Sequence, residues 1–348
     1  MVRRVCGALP ALILACALAS CAKIDLTPDL LPLSKETMML LGKKGMDPQA
    51  PIFIRVFKEE SELELWKQRA DGRFYHLKTY PICNWSGELG PKVKQGDRQA
   101  PEGFYTVTRE QMNPNSNYHL SINLGYPNQF DRAHQRSGSF LMIHGDCLSV
   151  GCYAMTDDQI SEIYALARDT FRGGRPSFQV QAYPFRLTPA NLARHRNNPN
   201  LPFWKMLKTG NDHFETTGRE PKVDVCERRY VFDAQAAAGS TQPPVFNASE
   251  KCPPFVIDPE TARRAQEKAR ADEFAIARLV QDNVPAAPIY TGFDGGMHKA
   301  FVARYPGRVT FAMVMPYASR LPRMPPVPWV DGDGSVASRW FGVAFAKP

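Results

Sequence analysis

One short stretch, Ser139 to Gln159, reads SFLMIHGDCLSVGCYAMTDDQ and holds a histidine, two cysteines and three aspartates. A thiol with an imidazole suits nucleophilic acyl transfer. A free cysteine is mostly protonated at neutral pH, with a pKa of about 8.5. A neighbouring imidazole can take that proton, and an ion pair can lower the thiol's pKa further. Cys152 is the candidate nucleophile and His144 the candidate base. Backbone N–H groups around Gly151 and Cys152 are candidates for stabilising an oxyanion. A structural cysteine beside a core histidine fits the same spacing. A zinc site of His144, Asp146, Cys147 and Cys152 has the right ligand types, but its spacings follow no common zinc pattern, so no metal is expected.

The surrounding sequence indicates how these residues are positioned. The apolar run Phe140-Leu141-Met142-Ile143 reads as a buried strand that delivers His144. A loop with Gly145, Asp146, Cys147, Ser149 and Gly151 then leads to Cys152. Gly151 lets the backbone beside the sulfur turn sharply or approach a substrate. Thr156 and Gln159 have capping-box spacing, and Asp157 and Asp158 suit the positive end of a helix dipole. Ile160, Ile163, Tyr164, Ala167 and Phe171 continue with helical period.

His-Gly followed by Ser-x-Gly-Cys resembles the catalytic motif of the YkuD-type L,D-transpeptidases, and HGDC-x-S-x-GCYAMT is closest to the YafK-like branch. The resemblance also takes in VFKEE (56–60), ICNWSGELGPK (82–92), GDRQAPEGFYTV (96–107), NLGYPNQFDRAH (123–134) and QAYPFRLTPAN (181–191), and spans about Pro51 to Phe232. It implies a mainly β, α+β catalytic domain of sandwich type. It makes Cys152 the nucleophile, His144 the base, and the Gly145 carbonyl the group that orients the imidazole. Peptidoglycan peptide stems would be the substrates, with no cofactor. The branch is associated with hydrolysis that frees wall-attached protein, which adds a wall-attached outer-membrane lipoprotein as an implied partner. The sequence departs from the broader family at Val150, which replaces a second histidine, and at Tyr153-Ala154, which replace a polar pair. Acceptor handling therefore need not follow the broader family. Asp146, Ser149, Gly151, Tyr153 and Arg132 are the expected substrate or oxyanion contacts. The polar, glycine-rich loops Trp85-Ser86-Gly87, Gly90-Pro91-Lys92 and Gly96-Asp97-Arg98 are further candidates. Lys92, Arg98 and Arg132 could meet stem carboxylates, for which a guanidinium is best suited. His134 is a weaker candidate for lining the site.

The chain has 348 residues, 43% hydrophobic content, 30 prolines and a net charge of +8. That charge fits attraction to anionic lipid or wall polymer as well as plain solubility. No RNA- or DNA-binding motif accompanies it, so nucleic acid is not an expected partner. Residues 1–21 read as an export signal, with Arg3 and Arg4 before the apolar Ala8 to Leu18. Leu18-Ala19-Ser20-Cys21 resembles a lipobox, which would make Cys21 a lipidated anchor. Ala22-Lys23 does not resemble the inner-membrane retention signal, so an outer-membrane lipoprotein facing the periplasm is expected. An ordinary secretory signal is the alternative.

Residues 22–50 read as a tether with one short helix between Leu30 and Leu41. Strands are expected at Ile52–Phe57, Glu62–Trp66, Phe74–Cys83, Gly103–Val107, His119–Leu124, Phe140–Ile143 and Ser177–Ala182. The catalytic domain is placed at 51–183, with an extension at 184–233. That extension holds short helical pieces at Pro189–His195 and Phe203–Lys208 and one strand within Val223–Phe232. Residues 234–348 read as a Pro/Ala-rich linker, a helix from Asp258-Pro259 to about Asp282, and an appendage of low order with aromatics at Tyr290, Phe293, Trp329, Trp340 and Phe341. An exported chain meets an oxidising compartment. Cys226 with Cys252, and Cys83 with Cys147, would leave Cys152 free. A Cys147–Cys152 bridge would instead silence the site, leaving a wall-binding lipoprotein without activity. Spacing does not choose between them.

Overall fold

A computed structural model describes residues 26–237, 239–240, 242–289 and 295–304. Cys21, the export signal, Tyr290, Phe293, Trp329, Trp340 and Phe341 lie outside these residues. The architecture is α+β, with two five-stranded sheets. The first is made of β1 (Ile52–Phe57), β2 (Glu62–Gln68), β3 (Phe74–Pro81), β5 (Gly103–Thr108) and β10 (Ser177–Tyr183), in the order β3-β2-β1-β10-β5. β1 runs parallel to β10 and antiparallel to β2. All six residues of β1 are buried, as its unbroken IFIRVF sequence suits a strand covered on both faces. Ile54 and Val56 enter the main core, while Phe53 packs with Trp66, Phe74 and Phe214.

The second sheet is made of β4 (Asn84–Trp85), β6 (Met112–Ser116), β7 (His119–Asn123), β8 (Met142–His144) and β9 (Tyr153–Ala154), in the order β4-β9-β8-β7-β6. Its Ile122 and Ile143 share the main core with Ile54 and Val180 of the first sheet. The same core takes Ile160, Ile163 and Leu166 from α3 (Asp157–Arg172). That helix starts as the capping box implies: the Thr156 side chain accepts from Gln159 N–H, and Gln159 reaches back to Thr156 N–H.

Several expectations need correction. The strand expected at Phe140–Ile143 begins only at Met142; Phe140 is exposed, with φ +57°. Residues 35–50 are no tether, because Leu41 of α1 (Lys35–Lys43) and Met46 are buried in the main core. The single strand within Val223–Phe232 is a hairpin, β11 (Val223–Cys226) and β12 (Arg229–Phe232), turning through Glu227 and Arg228, both at positive φ. The helical piece at Phe203–Lys208 belongs to α5, a longer helix over Leu201–Thr217. α6 (Pro259–Gln281) sits where expected, capped by Asp258, whose carboxylate accepts from Thr261 N–H at 2.9 Å. It does not stand apart: it packs on α5 and on α4 (Pro189–Arg194). Nor are residues 295–304 a loose appendage. They lie against β4, and α7 (Lys299–Val302) places Phe301 in a buried cluster with Cys83, Cys147 and Met297.

Candidate active site

β8 and β9 are parallel neighbours, pairing Ile143 with Tyr153 and His144 with Ala154. Parallel strands normally need a long crossover. Here one short loop, 145–152, makes the return. It does so with three residues at positive φ: Asp146 (+63°), Cys147 (+51°) and Gly151 (+118°). His144 thus ends one strand and Cys152 immediately precedes its neighbour. Two bonds close the loop's base, Met155 N–H to His144 O at 2.7 Å and Cys147 N–H to Met155 O at 3.1 Å. The Cys83–Cys147 disulfide fixes its middle, and Cys226–Cys252 staples the hairpin elsewhere. Cys152 is the free cysteine among the described residues and is partly exposed. The Cys147–Cys152 bridge is therefore not formed.

His144 is buried, and its Nδ1 lies 2.7 Å from the Gly145 carbonyl. A carbonyl only accepts, so Nδ1 carries the proton and Nε2 presents a lone pair. Gly145 has no room for a side chain: a Cβ there would lie 2.5 Å from Asp157 Oδ1 and 2.9 Å from Tyr118 O. The ring of Tyr118 lies 4.7 Å from the imidazole, centre to centre. Burial pushes the His144 pKa below its ordinary value, against the pull of the Gly145 carbonyl and the Asp146 carboxylate. Burial likewise pushes the Cys152 thiol up, against the Met142 backbone and the charge of Lys92. Burial thus favours the neutral form of each group. The thiol points at the Phe140 carbonyl, Sγ to O 3.5 Å.

Ser149 organises the Cys152 backbone. Its Oγ accepts from Cys152 N–H at 3.1 Å and Gly151 N–H at 3.3 Å, and it donates to Cys152 O at 2.7 Å. The two N–H groups expected at an oxyanion are thus held by a side chain at rest. Ser149 also touches Ser86 Oγ at 3.2 Å, and Ser86 donates to Arg98 O at 2.7 Å. Asp146 is tied down through its backbone, N–H to Asp157 Oδ1 at 2.8 Å.

Three sequence expectations fall outside this cluster. The Tyr153 side chain points into the core and donates to Pro101 O, so only its backbone belongs to the site. The Arg132 guanidinium donates to Pro127 O and lines a separate hollow of about 450 Å³ with Gln129, Phe246, Asn247 and Ser249. His134, just after α2 (Gln129–Ala133), bonds Arg228 O and packs on Phe130. Lys92 is buried and paired with Asp97, so it acts on the thiol through its field. Arg98 has its backbone against Gly151 and its carbonyl on Ser86. Two members of the site were not foreseen. Tyr118 lies in none of the motifs, and Phe140 reads as strand interior until its carbonyl is seen facing the thiol.

These features define an α+β domain in which one loop joins a free thiol to a buried, oriented imidazole. The chain belongs to the L,D-transpeptidase family: residues 52–181 match the YkuD L,D-transpeptidase catalytic domain. It is 43% identical over 238 residues to the Escherichia coli (strain K12) protein named "Putative L,D-transpeptidase YafK", covering 67% of this chain and 94% of that protein. The E. coli O157:H7 protein of the same name matches to the same extent. Among solved structures, the helical cell shape determining protein Pgp2 of Campylobacter jejuni overlaps at a TM-score of 0.32 and 16% identity. That overlap covers 54% of this chain and 79% of that one. An overlap so partial leaves the family assignment resting on the sequence matches.

Proposed function

We propose that the protein is an exported cysteine acyl-transfer enzyme acting on peptidoglycan peptide stems through a Cys152 thioester. The observation that carries this reading is that a free Cys152 and a buried His144 sit at the two ends of one short loop joining paired parallel strands, with the imidazole Nδ1 held by the Gly145 carbonyl so that Nε2 presents a lone pair. Nε2 takes the Sγ proton as the sulfur adds to a stem carbonyl carbon. The tetrahedral intermediate then expels the amine, which leaves with the proton from Nε2. The remaining thioester is attacked by an amine or by water, which returns a proton to Nε2 and then to Sγ. An amine acceptor gives a transpeptidase; water gives an amidase that releases wall-attached protein. The export signal and the Leu-Ala-Ser-Cys sequence support anchoring through a lipidated Cys21 at the outer membrane, facing the periplasm.

The test uses soluble protein beginning at Lys23 and purified sacculi that bear covalently attached protein, with Cys152→Ala as control. Mass spectrometry reads the muropeptides and the supernatant. New cross-links or exchanged terminal residues identify the transpeptidase; released protein or trimmed stems identify the hydrolase. Turnover that survives Cys152→Ala would sink the mechanism. A wall-binding lipoprotein without activity would instead leave the sacculi unchanged while co-sedimenting with them.

A further inference from the structure

The sheet that carries the catalytic pair is completed by residues far outside the stretch 52–181. Gly296 pairs with Trp85 as an antiparallel bridge. Both of its backbone bonds are made, Trp85 N–H to Gly296 O and Gly296 N–H to Trp85 O, each 2.9 Å. His298 N–H adds a bond to Ile82 O at 3.0 Å. The contact is close: a Cβ at Gly295 would collide with Trp85 O, and one at Gly296 would lie 2.6 Å from Trp85 Nε1. Beyond it, Met297 and Phe301 bury themselves against Cys83 and Cys147. An edge strand of only two residues, β4, is thus held from outside by a strap over 295–302.

The strap reaches both reacting groups by short routes. One runs from Gly296 to Trp85, which pairs with Tyr153 next to the nucleophile, and on through Ser86 to Ser149, which holds Cys152 N–H and O. The other runs from Phe301 and Met297 to the Cys83–Cys147 disulfide. From there Cys147 N–H bonds Met155 O, and Met155 N–H bonds His144 O. We propose that Gly296, Met297 and Phe301 are positioning residues for the reaction: the strap sets the approach of the thiol to the imidazole by clamping β4 and the disulfide from the outer edge of the sheet. This rests on Cys152 being the reacting thiol. A displacement of about 1 Å between reacting groups can cost on the order of a hundredfold in rate. Loss of the strap therefore acts on kcat and on the thiol's ionisation rather than on KM.

The test compares full-length mature protein with Gly296→Val, Phe301→Ala and the conservative Phe301→Leu. Phe274→Ala, an exposed site on α6, is the control. Each is measured for kcat and KM on a stem peptide, and for the pH dependence of Cys152 alkylation by iodoacetamide. We expect Gly296→Val and Phe301→Ala to lose roughly ten- to a hundredfold in kcat with KM little changed. The alkylation profile should shift in both, Phe301→Leu should recover most of the parent behaviour, and the control should match the parent. Folded variants with parental kcat and alkylation profile would overturn the proposal. So would unfolding of all three strap variants, which would make the strap a folding element only. Alkylation needs no substrate, so a shifted profile in a protein without activity on sacculi would reject the proposed reaction and leave the positioning role standing.

Discussion

At the scale of residues, the site's protonation states follow from burial. His144 is held below its ordinary pKa of 6.5, so its neutral form, the one able to accept a proton, persists to lower pH than in a free imidazole. Activity should fall only as pH drops through that lowered value, placing the acid limb of kcat/KM below pH 6.5. Burial holds the Cys152 thiol above the ordinary thiol range. Its alkylation rate should therefore still be rising at pH 9.0. Lys92 opposes that shift, so Lys92→Met should move the thiol limb further up. Rate profiles of alkylation and turnover check all three statements together. A thiol limb below the ordinary thiol range would mean that thiolate and imidazolium already exist as a pair, contrary to the neutral forms that burial favours.

At the scale of elements, the loop 145–152 depends on one hydroxyl. Ser149→Ala leaves the N–H groups of Gly151 and Cys152 without their partner, and an unmade bond to a buried group costs about 1–3 kcal/mol. We expect Ser149→Ala to slow both turnover and alkylation roughly tenfold or more, since about 1.4 kcal/mol is a factor of ten in rate. Global unfolding should change little. Stopped-flow alkylation beside a thermal melt distinguishes a loosened loop from a lost fold. This loop was legible in the sequence because its chemistry is local: His144, Gly145, Ser149, Gly151 and Cys152 lie in one motif, and Thr156 marks the next helix. What failed was direction and distance. Tyr153 stands beside Cys152 yet turns into the core, because β9 sends its side chain inward. β6 has the polar sequence Met-Asn-Pro-Asn-Ser, which carries no strand alternation and is defined only by its pairing with β7. The turn at Glu227-Arg228 lacks the glycine that marks a hairpin. VFKEE and GDRQAPEG belong to the family resemblance, and Gly96-Asp97-Arg98 reads as a candidate substrate loop. The structure uses them for the buried Lys58–Glu102 pair, with Glu102 also accepting from Trp204 at 2.8 Å. The strap was invisible because the Gly295-Gly296 pair looks like any loop until Trp85 is seen against it.

At the scale of the whole molecule, α6 docks the described residues beyond the hairpin onto the catalytic domain, ahead of residues 295–304. Val284 O accepts from Arg196 and Ala287 N–H bonds Arg194 O, anchoring the segment that precedes the strap. The helix itself docks through charge. Lys268 Nζ lies 2.8 Å from Asp272, 3.5 Å from Glu215 and 3.7 Å from Asp212, while Lys208 bridges Asp212 and Asp272. Asp212 is buried, and despite the two lysines its pKa is raised from 3.8 to about 6, burial being the larger influence. A carboxyl whose folded pKa is raised binds protons more readily folded than unfolded. Its contribution to stability is thus fully present below the unfolded value and is lost as pH rises through the folded one. For Asp212 the window lies between about 6 and 3.8. Asp212→Asn removes that titration while keeping the shape. The melting temperature of the parent minus that of Asp212→Asn should therefore grow as pH falls through this window, and be flat above it. Thermal melts of both proteins from about pH 7 to about pH 4 measure the slope directly. A difference that shrinks on acidification would mean that Lys208 and Lys268 outweigh burial and keep Asp212 ionised. The docking of α6 would then weaken in acid, and with it the hold on the segment that leads to the strap.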